Sequence, residues 1–160
     1  MKKCIFIFII TILSFYIPFR VNAADAGWYE KDGYKYYRDS NGDNLVGFQT
    51  INDKIYFFSR DLKMYGAQKT GMLTVGDYNY YLNPDAQTGW FEYNGNKYYA
   101  NTDGEIQVGF QTIDGEVYFF SRDKTKYGAM RTGWINIGFD YYYLTESGQA
   151  LRGENKVDGI

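Results

Sequence analysis

Large apolar side chains recur in this chain at fixed distances from glycine. Gly27, Gly47, Gly71, Gly89, Gly109 and Gly133 each open a segment with the same order of positions. One step on stands Trp28, Phe48, Met72, Trp90, Phe110 or Trp134. Five and six steps on stands a turn dipeptide: Asp32-Gly33, Asn52-Asp53, Gly76-Asp77, Asn94-Gly95, Asp114-Gly115 or Gly138-Phe139. Most of these suit two-residue turns of type I′ or II′, which need a positive φ. Nine steps on is always tyrosine, and ten steps on is always aromatic. The spacing predicts a β-hairpin per segment, with a short first strand, a tight turn and a second strand carrying the aromatic pair. A two-residue turn fixes the register. It sets Trp28 opposite Tyr37, Trp90 opposite Tyr99 and Trp134 opposite Tyr143, and it sends the tyrosine nine steps on to the other face.

The segments are 20, 24, 18, 20, 24 and 20 residues long, and the first three recur as the last three with an offset of 62 residues. The longest identity is between the middle members, GFQTINDKIYFFSRDLKMYGAQKTG and GFQTIDGEVYFFSRDKTKYGAMRTG. An isolated hairpin is marginal in water. Stacking hairpins along an axis buries one face of each against its neighbours, which makes a solenoid stable where one unit is not. The expected fold is therefore all-β: a solenoid of six tandem hairpins over residues 24–152. Residues 153–160 (GENKVDGI) read as a polar C-terminal cap or a partial seventh repeat.

The start of the chain reads differently. A basic Met1-Lys2-Lys3, an apolar run from Cys4 to Phe19 and the small-residue pattern Val21-Asn22-Ala23 have the layout of a secretory signal peptide over residues 1–23. The run is short for a membrane-spanning helix. Lys2, Lys3 and Arg20 belong to the leader, and removing it leaves 14 basic residues against 19 acidic ones, a net charge of −5. That balance argues against nucleic acid and, once the leader is removed, against a membrane surface. Cys4 is the sole cysteine and histidine is absent, so disulfides, thiol chemistry and the commonest general base and zinc ligand are missing from the repeats. No cofactor and no metal site is expected. Aromatics make up 21% of the chain, more than a core of this size can absorb.

The segments GWYEKDGYKYY and GWFEYNGNKYY resemble the cell-wall-binding repeats of Gram-positive bacteria, also called choline-binding repeats. The GFQTIDGEVYFF segments are more similar to the related repeats of large clostridial toxins and glucan-binding proteins. The resemblance covers Gly27 to about Arg152. It implies a left-handed superhelix of hairpins and non-covalent binding, in shallow aromatic sites between hairpins, of choline on teichoic acids or of glycans. A quaternary ammonium is held by cation–π attraction to ring faces, and a sugar stacks its C–H face on a ring while nearby polar groups take its hydroxyls.

On this basis the candidate ligand-binding residues are Trp28, Tyr37, Tyr65, Trp90, Tyr99, Tyr127, Trp134, Tyr141 and Tyr143, with no catalytic residue. In the choline-binding repeats a tryptophan usually stands eight steps from the glycine. Here that position holds Lys35, Ile55, Asn79, Lys97, Val117 and Tyr141. Two lysines would repel a cation, Ile55 and Val117 read as core, and only Trp134 with Tyr141 keeps a two-ring wall. The departure favours a glycan over choline. The loops of the long segments add Tyr65 and Tyr127 as platforms, with the second copy the better candidate because it ends in Trp134 where the first ends in Met72.

The expected function is that of a secreted, wall-associated, non-catalytic module that attaches to a cell-wall polymer. The alternatives are a lectin-like module for host or dietary glycans and a structural, self-associating repeat. The carboxylates fall mostly in turns, where solvated roles are the rule, and a glycosidase needs two of them flanking a cleft. An open edge at the C-terminal end could support a homodimer.

Overall fold

The computed structural model describes residues 25–151; the leader over residues 1–23 and the cap or partial repeat expected over residues 153–160 lie outside the described residues. Six two-stranded antiparallel sheets follow one another. They are β1 (Gly27–Lys31) with β2 (Tyr34–Arg38), β3 (Gly47–Ile51) with β4 (Lys54–Phe58), β5 (Gly71–Val75) with β6 (Tyr78–Leu82), β7 (Gly89–Tyr93) with β8 (Asn96–Ala100), β9 (Gly109–Ile113) with β10 (Glu116–Phe120), and β11 (Gly133–Ile137) with β12 (Asp140–Leu144). The register is the expected one throughout, with Trp28 opposite Tyr37, Phe48 opposite Phe57, Met72 opposite Tyr81, Trp90 opposite Tyr99, Phe110 opposite Phe119 and Trp134 opposite Tyr143. The turn residues explain it. Asp32-Gly33, Asn52-Asp53, Asn94-Gly95 and Asp114-Gly115 have positive φ at both positions, the type I′ pattern. Gly76 and Gly138 have positive φ alone in their pairs, the type II′ pattern.

Hairpins are joined to each other by main-chain bonds. The residue three places before each next glycine donates its N–H to the carbonyl eight steps into the preceding hairpin. The pairs are Gln68 to Lys35 (2.8 Å), Ala86 to Ile55 (2.7 Å), Ile106 to Asn79 (2.8 Å), Met130 to Lys97 (2.8 Å) and Ala150 to Val117 (2.7 Å). One bond of this kind closes each of the five junctions. The connecting segments also bridge to the second strand of their own hairpin, as in Phe58 with Gln68 and Phe120 with Met130.

The core runs along the axis. Its largest fully buried side chains are Phe58, Leu82, Phe120 and Leu144, all eleven steps from their glycine, with Ala100 at the same position in the fourth hairpin. The first hairpin has Arg38 there, its guanidinium carbon 4.0 Å from the centre of the Tyr29 ring. Because the array begins at that hairpin among the described residues, a cation over a ring replaces the hydrocarbon that continues the core elsewhere. The reading of Ile55 and Val117 as core is corrected: both are half-buried, because eight steps on points towards the groove between hairpins and eleven steps on points at the axis.

Tyr80 and Tyr98 are also buried, at 8% and 5% exposure. Burial pushes both phenols above the ordinary value of 10.0, with the neighbouring Glu105 adding to the effect at Tyr80. The folded state therefore holds its phenol protons more tightly than the unfolded chain. The stabilisation is complete below pH 10 and falls as pH rises beyond it. Urea midpoints measured from pH 8 to 11 should be flat and then decline, and Tyr98→Phe should flatten the decline. An unchanged slope in that variant would count against the assignment.

Candidate functional site

The aromatic positions meet at the junctions. Trp28 packs on Tyr37 of its own hairpin (ring centroids 5.2 Å apart) and on Tyr56 of the next (5.0 Å). The arrangement repeats 62 residues on, where Trp90 meets Tyr99 (5.2 Å) and Tyr118 (4.9 Å). Phe48 with Tyr80 (4.6 Å) and Phe110 with Tyr142 (4.8 Å) complete the set of ring pairs at these positions. The third junction has Met72 in place of a first-strand ring, and Tyr81 crosses it to stack on Phe91 (5.4 Å) and to meet Tyr93 at a tilt (4.6 Å).

The tyrosine nine steps on thus has two roles. Within its hairpin it faces Tyr29, Gln49, Leu73, Phe91, Gln111 or Ile135. In the second, third, fifth and sixth hairpins it also forms the wall that closes the site of the hairpin before, as Tyr56, Tyr80, Tyr118 and Tyr142 do. Sequence reasoning missed these four. The signal was present: a residue kept in all six segments opposite partners of varied chemistry is not kept for its cross-strand partner.

At the first junction the rings line a groove of about 400 Å³ with Trp28, Tyr29, Glu30, Lys35, Tyr56, Gln68 and Pro84 on its walls. Trp28 remains 42% exposed. Lys35 is drawn to Glu30, its cross-strand partner, at 3.7 Å. Gln68 donates from Nε2 to the Pro84 carbonyl at 3.3 Å. The groove therefore offers a ring face, an acid, an ammonium and an amide within one span. At the fourth junction Lys97 takes another position, its Nζ 4.6 Å from the centre of the Trp90 ring.

The remaining candidates separate. Trp134, 53% exposed, packs on Tyr143 at 5.2 Å, and Tyr141 stands 73% exposed on the same face. Tyr127 is half-buried and lines a second groove, of about 210 Å³, with Asp77 and Tyr78 of the third hairpin and Gln107 and Gln111. Its counterpart Tyr65 is exposed. The two loops also differ in their turns: Asp61 accepts from the Lys63 N–H at 2.8 Å, whereas Asp123 accepts from both the N–H and the hydroxyl of Thr125, at 2.8 and 2.7 Å. Those bonds, hydroxyl first, hold the Asp123 carboxyl below the usual carboxylate value.

A row of hairpins joined through the main chain, with ring-walled grooves between neighbours, is the architecture of a β-hairpin repeat protein. Residues 88–106 and 132–150 match the family model described as "Putative cell wall binding repeat". The fourth and sixth hairpins thus carry cell wall binding repeats of the choline-binding type. Among solved structures the chain is similar to CbpJ from Streptococcus pneumoniae, at 29% identity and a TM-score of 0.74 over 84% of this chain and 45% of that one. It is equally similar to choline binding protein F from the same species, solved in the presence of a peptidoglycan analogue: 29% identity, TM-score 0.74, 84% of this chain and 43% of that one. Among curated proteins it is 29% identical to glucosyltransferase-S of Streptococcus mutans, across 81% of this chain and 10% of that protein. The chain spans about a tenth of the length of that relative and less than half of each of these structures.

Proposed function

We propose that the chain is a non-catalytic binding module that attaches to a bacterial cell-wall polymer through the grooves between successive hairpins. The observation that carries this is the junction itself. A first-strand tryptophan, its cross-strand tyrosine and a tyrosine from the next hairpin meet in the same geometry at the first and fourth junctions. The grouping of Trp28 with Glu30, Lys35 and Gln68 favours a saccharide as ligand over a bare cation, because hydroxyls can use both the donors and the acceptors. Tyr127 and Gln111 line a further groove of the same mixed character. Choline is retained at one place in this reading, the exposed pair Trp134 and Tyr141. The reading includes export by the leader over residues 1–23, a location at the cell surface or wall, and pairing of two copies through the C-terminal end.

The test is retention. The protein, incubated with purified walls of Gram-positive bacteria, should sediment with them and be released by a soluble fragment of the polymer. Trp28→Ala combined with Trp90→Ala should weaken the apparent affinity for the walls at least about fivefold. Stacking on one ring is worth about 0.5–1.5 kcal/mol, and two sites acting on one polymer multiply. A protein that stays soluble with every wall preparation would refute the reading. Glycan-array binding without wall retention would replace it with a lectin-like one.

A further inference from the structure

The two tryptophan junctions carry the same residues in two arrangements. In both, a lysine eight steps on faces a glutamate across the hairpin: Lys35 with Glu30, Lys97 with Glu92. At the first junction the lysine lies with the glutamate, 3.7 Å away, and the groove beside Trp28 is open. At the fourth the lysine leaves Glu92 and lies over the indole of Trp90, 4.6 Å from its centre. A cation over a tryptophan face is the contact that a quaternary ammonium ligand would make. Lys97 supplies that cation from within the chain.

We propose that Lys35 and Lys97 are tethered occupants of the two tryptophan junctions, which alternate between a lysine-filled and a lysine–glutamate, open state. The consequence is a rule of specificity. A quaternary ammonium must displace a like charge that already satisfies the ring, and the displaced ammonium stays within a side chain's length. A saccharide meets no such penalty. In the open state it stacks on the indole and takes the lysine and glutamate as hydrogen-bond partners. The inference rests on the reading of these junctions as ligand sites, and it assigns to the residue eight steps on the choice between ligand classes.

Trp28→Phe and Trp134→Phe leave Trp90 as the sole tryptophan, and both substitutions copy what Phe48 and Phe110 already are at that position. In this background choline chloride is titrated against Trp90 fluorescence, with sodium chloride at equal ionic strength as the control. Lys97→Ala should strengthen choline binding about two- to fivefold, the factor that corresponds to one exposed cation–π contact. Lys97→Arg, which keeps a cation over the ring, should leave it as weak as in the parent. Equal choline binding in the parent, Ala and Arg forms would overturn the proposal, as would a gain in the Arg form alone. Should Lys97→Ala fail to fold, Lys35→Ala read through Trp28 as sole tryptophan tests the same claim. Wall retention of the unmodified protein is scored separately. Choline gained by Lys97→Ala without wall retention would sink the wall-binding reading and leave the lysine rule standing.

Discussion

Phe120→Ala is expected to lower the free energy of unfolding by about 3–5 kcal/mol, the usual cost of emptying a fully buried aromatic site. Phe120 has no exposed surface, and its ring lies 5.8 Å from that of Trp90, so it holds the fifth hairpin against the fourth. Total stability for a domain is about 5–15 kcal/mol, so this loss is a large share of it. In a stacked array each unit contacts only its neighbours, and the damage should concentrate between the fourth and fifth hairpins. Urea unfolding followed by tryptophan fluorescence measures the loss, and Trp90 should respond before Trp28. The comparison variant is Arg38→Ala, which occupies the same place in the repeat at the end of the array. It should cost far less, because a half-buried side chain leaves little cavity. Equal costs for the two would mean that the axis is not where the stability resides.

Gly128→Ala is expected to cost about 2–5 kcal/mol, from two sources that add. Gly128 has a φ of +79°, a left-handed conformation that any side chain strains. An added Cβ would also overlap the Cγ2 of Ile106 and touch the Cδ1 of Tyr98 at 3.5 Å. Neither neighbour can withdraw, since Ile106 and Tyr98 are 6% and 5% exposed and pack with Ala129 in one cluster. The position is fixed from the other side too, where the Gly128 N–H donates to the Ser121 carbonyl at 2.8 Å. Gly95→Ala isolates the first source. Its φ is +70°, and no atom lies within 4 Å of the added Cβ, so it should cost only about 1–2 kcal/mol. Thermal or urea denaturation of both variants gives the difference. A difference near zero would mean that the loop moves aside and that the close approach carries no energy.

The hairpins were legible in the sequence because each obeys local chemistry. Asn94-Gly95 or Asp32-Gly33 sets the turn, the turn sets the register, and the register sets Trp90 against Tyr99 and Trp28 against Tyr37. Contacts between hairpins were not. Nothing local says that Tyr118 closes the site of Trp90, since the two belong to different turns of the chain and meet only through stacking. The same gap explains the misplaced core. Ile55 and Val117 are apolar and stand in a strand, yet the axis lies on the side of Phe58 and Phe120. Composition could not separate the two, because both positions are hydrophobic in the long segments. The lysines were visible as obstacles to a cation, whereas their two arrangements needed coordinates. Tyr65 and Tyr127 are equals in sequence and differ in surroundings: Tyr127 lines a groove with Asp77 and Tyr78 of the third hairpin, and Tyr65 stands exposed.

The bond that closes each junction has a consequence for how such a chain can change. Its donors are Gln68, Ala86, Ile106, Met130 and Ala150, and its acceptors are the carbonyls of Lys35, Ile55, Asn79, Lys97 and Val117. The side chains vary from joint to joint while the bond stays the same, since only main-chain atoms take part. A gene segment encoding whole hairpins can therefore be copied and spliced in, and the new joints form whatever residues they bring. The 62-residue duplication is such an event preserved in the chain. After it, the side chains that face the grooves were left to diverge, Met72 from Trp134 and Asn79 from Tyr141, without loosening the joints. Lineages built this way can lengthen their reach along a polymer and retune single contacts independently.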